Sequence, residues 1–220
     1  MRFDKLLALT ATLALALPAA TQAQELDANT WETSLGITFQ NSSDADFEGG
    51  TTADFESDTA FRLAFDYSLT DALQVGASFG IGTRDYEASI AGDTADEFLN
   101  VKGDLEFMTF LVNGTYNFMS GPFRPFVTAG LGWSWVDTNI ATELPQTGCW
   151  WDPWWGYICT SWQDTKTLDG LTYGVGVGAR YDFSDTVAVH GSYRMDWIDF
   201  DQADGTPSFD GFELSVGWKF

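Results

Sequence analysis

The chain has 220 residues, with 10 Lys and Arg against 32 Asp and Glu, a formal net charge of −22, and 45% hydrophobic and 16% aromatic residues. The acid excess excludes a nucleic-acid binder, which needs a basic footprint, and the aromatic content excludes a disordered chain. Left to explain are 18 Phe, 10 Trp and 7 Tyr beside 22 Gly, at a mean hydropathy of only −0.11.

Arg2 and Lys5 precede the apolar run Leu6 to Leu17, then Pro18 and the small-residue stretch Ala19-Ala20-Thr21-Gln22-Ala23. A charged start, a short apolar centre and a small-residue end are the pattern of a cleaved secretory signal peptide. The run is too short for a membrane-spanning helix, which needs roughly 18 apolar residues, and no later segment reaches that length. The expected division is a signal peptide over 1–23 and one domain over 24–220. Cys149 and Cys159 both follow the signal, and an isolated pair in an oxidising compartment reads as a disulfide. A metal site would need more ligands, and the sole histidine, His190, lies far off in sequence.

From residue 30 onward the hydropathy alternates with period two, which predicts strands. The first sets Trp31, Thr33, Leu35, Ile37 and Phe39 against Glu32, Ser34, Gly36 and Thr38. The second runs about Phe61 to Leu69 and the third about Leu73 to Ile81. The fourth, Leu105 to Phe118, is apolar on both faces at first; at its end Val112, Gly114 and Tyr116 oppose Asn113 and Thr115. The fifth spans Val127 to Trp135, the sixth Thr172 to Phe183, the seventh Val187 to Trp197 and the eighth Phe212 to Phe220. Short links at 70–71, 119–123 and 184–185 alternate with long ones at about 41–58, 83–103, 137–168 and 199–209.

One face of these strands is large and aromatic, and the other is rich in Gly, Ser and Thr. A soluble sandwich puts a charged face outward, whereas a barrel in lipid puts its apolar face outward and gathers aromatics at both interfaces. The predicted fold is all-β, an eight-stranded antiparallel up-and-down transmembrane barrel. The last strand presents Phe212, Leu214, Val216, Trp218 and Phe220 in strict alternation up to the C-terminal aromatic. This resembles the signal that the barrel assembly machinery reads in bacterial outer-membrane barrels.

Over about residues 28–220 the chain resembles the small outer-membrane barrel family that includes the membrane domain of outer-membrane protein A, its OmpX-like relatives and the opacity-type surface proteins. Pro125-Phe126-Val127-Thr128-Ala129-Gly130-Leu131-Gly132 looks like that family's Pro-aromatic-Val-Gly-Ala-Gly strand, and Gly191-Ser192-Tyr193-Arg194-Met195 like its Gly-Tyr-Arg-Tyr strand. The resemblance implies the fold and a bacterial outer-membrane location, with a periplasmic N-terminus and extracellular long loops. It implies no single activity.

On this register the lumen receives Glu32, Arg62, Asp66, Arg180, Asp182, His190, Arg194, Asp196, Glu213 and Lys219. Buried charges persist when paired, so Arg194–Glu213 and Lys219–Glu32 are the expected pairs. The set reads as a plug that holds a narrow barrel in shape; a gated conduit for small solutes is the alternative. Lipid A deacylase barrels pair a His with a Ser two residues on, as His190 and Ser192 are spaced here. Those enzymes place the site on the lipid face, whereas both residues point inward on this register, so no catalytic residue is assigned. A lipid-modifying barrel enzyme stays as the second alternative.

The long loops carry the specificity. Asp44, Asp46 and Glu48 begin like a calcium loop, but Phe55 stands where its last carboxylate belongs, so they read as a solvated acidic face or weak divalent contacts. Asp199, Asp201 and Asp204 admit the same two readings. Within the Cys149–Cys159 ring stand Trp150, Trp151, Trp154, Trp155 and Tyr157. They are expected either to pack on one another as a miniature core or to contact a sugar, a lipid headgroup or a host protein. The expected function is non-enzymatic: envelope integrity or surface interaction through acidic and Trp-rich loops. No cofactor and no metal is expected, and the expected partners are outer-membrane lipid and lipopolysaccharide, the assembly machinery and an extracellular ligand.

Overall fold

Period-two alternation resolves into twelve strands in the computed structural model, which describes residues 28–47, 51–91, 98–141, 146–162, 165–200, 203 and 205–220. The expected signal peptide, Glu48, Asp201 and Asp204 lie outside the described residues. Eight strands form the barrel: β1 (Trp31–Gln40), β4 (Asp58–Ser68), β5 (Leu73–Ala91), β6 (Phe98–Asn117), β7 (Phe123–Ala141), β10 (Thr165–Asp182), β11 (Val187–Phe200) and β12 (Ser208–Lys219). Each pairs antiparallel with its neighbours in sequence order. β1 closes on β12, with Glu32 opposite Lys219 and Phe39 opposite Phe212. Closure removes every strand edge from the apolar zone, which lipid requires because it cannot satisfy a free backbone N–H or C=O. At the seam the terminal Phe220 exchanges two backbone hydrogen bonds with Trp31, at 2.9 and 3.1 Å.

Side-chain alternation puts Leu35, Phe61, Leu131 and Val177 on the outer surface, where all are more than half exposed. Trp31 and Tyr67, 4.9 Å apart, begin an aromatic girdle at the short-turn end that continues through Tyr116 and Tyr181. Tyr173 stacks on Trp197 at 5.7 Å near the long-loop end. Two aromatic belts around an apolar band are the signature of a barrel seated in a bilayer.

The strands overrun their predicted ends. β5, β6, β7 and β10 have 18 to 20 residues against 10 to 14 for β1, β4, β11 and β12, so one wall stands well above the other. The expected second long loop is therefore mostly strand. Beyond the short strands, β2 (Ser43–Phe47) and β3 (Thr51–Phe55) form a hairpin whose β3 pairs with the upper part of β5. The alternation had shown these extensions only weakly, because above the membrane neither face needs to be continuously apolar. β8 (Gln146–Asp152) and β9 (Gly156–Trp162) make a separate two-stranded sheet within the third long connection.

Candidate functional site

Charged side chains fill the lumen in two clusters. Near the short turns, Asp182 accepts from Arg180 at 2.9 Å and Lys219 at 3.0 Å, and its other oxygen lies 2.8 Å from Arg124. Glu32 lies 2.6 Å from Arg180 and 3.1 Å from His190. Higher up, Arg62 lies 3.0 Å from Glu213 and Arg194 2.7 Å from Asp196, while Arg194 also donates to Asn113 at 3.2 Å. Asp66 faces a small void of about 100 Å³ between the clusters. All ten residues expected in the lumen are there, but the partners differ. Glu213 takes Arg62 rather than Arg194, because Arg194 folds back on Asp196 two residues along its own strand. Lys219 stands opposite Glu32 in the ladder yet reaches Asp182, since Glu32 is occupied by Arg180 and His190.

Arg124, with no exposed surface, was missed because it sits in what reads as a turn. Its parity with Thr128 and Ser134 on the same strand was the available signal. With it, Arg62, Arg124, Arg180, Arg194 and Lys219 balance Glu32, Asp66, Asp182, Asp196 and Glu213. Such balance is what a low-dielectric lumen demands, since each unpaired ion costs several kcal/mol (about that order). Glycines make room for it: a Cβ at Gly174 would collide with the Asp196 carboxylate, and one at Gly217 with that of Glu32.

His190 and Ser192 both line the lumen void, as the register predicted. His190 meets Glu32 through Nε2 and Ser215 through Nδ1 at 3.2 Å, so neither ring nitrogen is engaged with Ser192.

Above the charged clusters the lumen changes character. The Gly, Ser and Thr face expected throughout gives way to buried Tyr86, Leu105, Val136 and Phe200, around a cavity of about 620 Å³. The change follows from the overrun of β5, β6, β7 and β10 and from β3 beside them, none of which the sequence placed there.

At the long-loop end, Cys149 and Cys159 are directly opposite in the β8–β9 ladder and are joined by a disulfide. Asp152 Oδ1 accepts from the backbone N–H groups of Trp154 and Trp155, at 2.8 and 2.9 Å, and Gly156 takes φ 78° to close the turn. Of the two expected arrangements, the miniature aromatic core does not form among the described residues: Trp154 is 90% exposed, Trp155 81%, Tyr157 70% and Trp151 69%, with Trp150 about half exposed. A lone two-stranded ribbon has no second layer, so Trp151 with Tyr157 and Trp150 with Ile158 project from opposite faces and cannot cover each other.

On the β2–β3 hairpin, Asp44 stands opposite Asp54, and both are exposed with Asp46, while Ala45 and Ala53 turn inward and are buried. Among the described residues no cluster of three or more His, Cys, Asp or Glu side chains has the placement of a metal site.

Residues 7–220 match the outer membrane protein beta-barrel domain family. Outer membrane protein PagN of Salmonella typhimurium is 28% identical over 101 residues, a match spanning 44% of this chain and 36% of that protein. The crystal structure of Neisserial surface protein A overlays with a TM-score of 0.53 at 14% identity, covering 87% of this chain and 97% of that one. The outer membrane protein OprG of Pseudomonas aeruginosa overlays with a TM-score of 0.52 at 16% identity, covering 90% and 99%. The attachment invasion locus protein of Yersinia pestis, solved with the heparin analogue sucrose octasulfate, gives 0.50 at 14% identity, covering 88% and 100%.

Proposed function

Since the chain belongs to the outer membrane protein beta-barrel domain family and is a protein of the bacterial outer membrane, we propose that it acts without catalysis, as a surface-interaction barrel whose contact element is the Trp hairpin. The observation that carries this reading is the exposure of Trp154 and Trp155 at the tip of a disulfide-closed ribbon. Large apolar surface held rigidly in water is costly unless a partner covers it, and Trp and Tyr dominate the energetics of such contacts.

In this reading residues 1–23 direct export and are removed, Phe212 to Phe220 serve the assembly machinery, and the short turns face the periplasm. The long loops then stand outside the cell among lipopolysaccharide. The charged lumen is a plug. The partner is an uncharged or cationic surface, such as a neutral glycan or a basic host protein. The exposed Asp44, Asp46 and Asp54 and the net charge of −22 repel a polysulfated sugar of the kind bound by the attachment invasion locus protein.

The test is adhesion of cells displaying the protein to arrayed neutral glycans and extracellular-matrix proteins, comparing wild type with Trp154→Ala/Trp155→Ala and Trp151→Ala/Trp154→Ala. Loss of adhesion with an unaltered heat-modifiable gel band is expected. Equal adhesion by all three would overturn the reading.

A further inference from the structure

The cavity above the charged clusters has a composition that the plug does not explain. Its wall includes Phe55, Ala88, Leu105, Val136, Phe200 and Phe209, contributed by six different strands. Its floor is Arg62, Arg194 and Asp196, and Arg84 stands in its side. An eight-stranded barrel is narrow enough for side chains to fill, yet about 620 Å³ is open here, roughly twenty waters' share of liquid volume. Water is a poor filler, since each molecule needs about two to four polar partners, the wall is mostly apolar, and the Thr109, Ser134 and Thr172 hydroxyls on it bond to one another. The volume falls within the range of small-molecule sites, roughly 300–1,000 Å³.

The charged groups around the cavity are mostly engaged within the protein, two of the arginines by carboxylates and the third by neutral oxygens. Arg84 donates to the backbone oxygens of Asn41 and Glu56 and to Ser43 Oγ, and its guanidinium lies 5.4 and 6.0 Å from the ring centres of Phe209 and Phe55. Arg62 is taken by Glu213, and Arg194 by Asp196 and Asn113. Asp210 accepts from Asn41 and from the Tyr193 hydroxyl. Among the described residues Arg84 and Asp210 form no close ion pair and are held by neutral partners, but each lies in the other's field, so a carboxylate ligand is opposed by Asp210 and an amine by Arg84. Either sign of charge on a ligand would be desolvated against an opposing group already in place.

We propose that this cavity is a binding site for a small uncharged hydrophobic molecule, with an alkyl or aromatic skeleton and no ionised group. The ligand is held by apolar contact, and the paired floor below it bars passage to the short-turn end of the lumen.

The test is photolabelling of the whole barrel, taken from outer membranes into phosphatidylcholine nanodiscs, with a diazirine-bearing 1-decanol analogue. Label is mapped by peptide mass spectrometry. The expected result is saturable label near Leu105, Val136 or Phe200, displaced by excess 1-decanol and not by decanoate. Ala88→Phe, which fills the wall, should lower that label about tenfold. Lipid-facing Ala129→Phe should leave it unchanged, and Ala53→Phe serves as a second wall variant. The map on wild-type protein decides the question even where a wall variant fails to assemble. Label confined to lipid-facing positions such as Leu131, equal displacement by decanoate, or undiminished label in both wall variants would overturn the proposal.

Discussion

Arg124, at the foot of β7, and Asp182, the last residue of β10, meet at 2.8 Å with no exposed side-chain surface on either. Asp182 also receives Arg180 and Lys219, so one carboxylate holds three cations from three strands, and one of them, Lys219, lies beside the closing seam. Removing that carboxylate takes an ion-pair partner from three buried cations, of which Arg180 keeps Glu32. Asp182→Asn is expected to destabilise the folded barrel by about 3–5 kcal/mol. The measurement is the urea midpoint for loss of the heat-modifiable band, with the exposed turn residue Asp185→Asn as a near-neutral comparison.

The upper cluster gives a contrasting expectation. Arg62 and Glu213 satisfy each other at 3.0 Å, so either single truncation strands a partner, whereas Arg62→Met/Glu213→Leu removes both charges and keeps most of the volume. The double variant should be less destabilised than the sum of the singles by about 1–3 kcal/mol, read from the same unfolding midpoints in a double-mutant cycle. Additive costs would show that the pair is not coupled.

Gly174 faces Asp196 across the ladder so closely that a Cβ would occupy the position of the carboxylate. Gly174→Val must push Asp196 off Arg194. The expected cost is about 1–3 kcal/mol, with slower assembly in a refolding time course. Gly114, where a Cβ meets nothing within 4 Å, is the matched site at which Val should be tolerated.

Breaking the Cys149–Cys159 bond should separate the hairpin from the barrel in stability. The β8–β9 ribbon is not paired with the barrel sheet, and its closed loop is short, so the bond contributes about 2–3 kcal/mol to the ribbon alone. Mild reduction is expected to expose the segment to chymotrypsin at its aromatic residues while the barrel band persists. If the barrel band is lost together with the ribbon, the two are one cooperative unit and the expectation is wrong.

Planar-bilayer recording addresses the pore alternative. Two ion-paired clusters cross the lumen, with a void of only about 100 Å³ between them. Wild-type protein should therefore give no sustained conductance of solute size, and Asp182→Asn, if assembled, should show intermittent openings as the cations that Asp182 holds reorganise. A steady wild-type conductance would refute the plug.

Much of this molecule was legible along the chain. Period two needs no tertiary information, and an apolar face wide enough to meet lipid shows itself in Phe61, Leu131 and Val177 without any partner strand. The lumen membership of ten charged residues followed from the same parity, because a strand has only two faces. Parity also puts Arg124 in the lumen once the strand is begun three residues before Val127, ahead of Pro125. The Cys149–Cys159 bond followed from compartment and count.

Tertiary structure alone decided who pairs with whom. Register between strands tells which residues are neighbours, but Arg194 reaches Asp196 on its own strand and Lys219 passes over Glu32 to Asp182, since long side chains choose among several carboxylates by fit and competition. It also decided the fate of the tryptophans. A sequence shows that Trp150, Trp151, Trp154 and Trp155 are close along the chain, and only the ribbon shows that its two faces keep them apart. Last, it decided the upper lumen: Ala53 on β3, Ala88 on β5 and Phe200 on β11 are far apart in sequence, and only the unequal heights of the strands bring them around one apolar space.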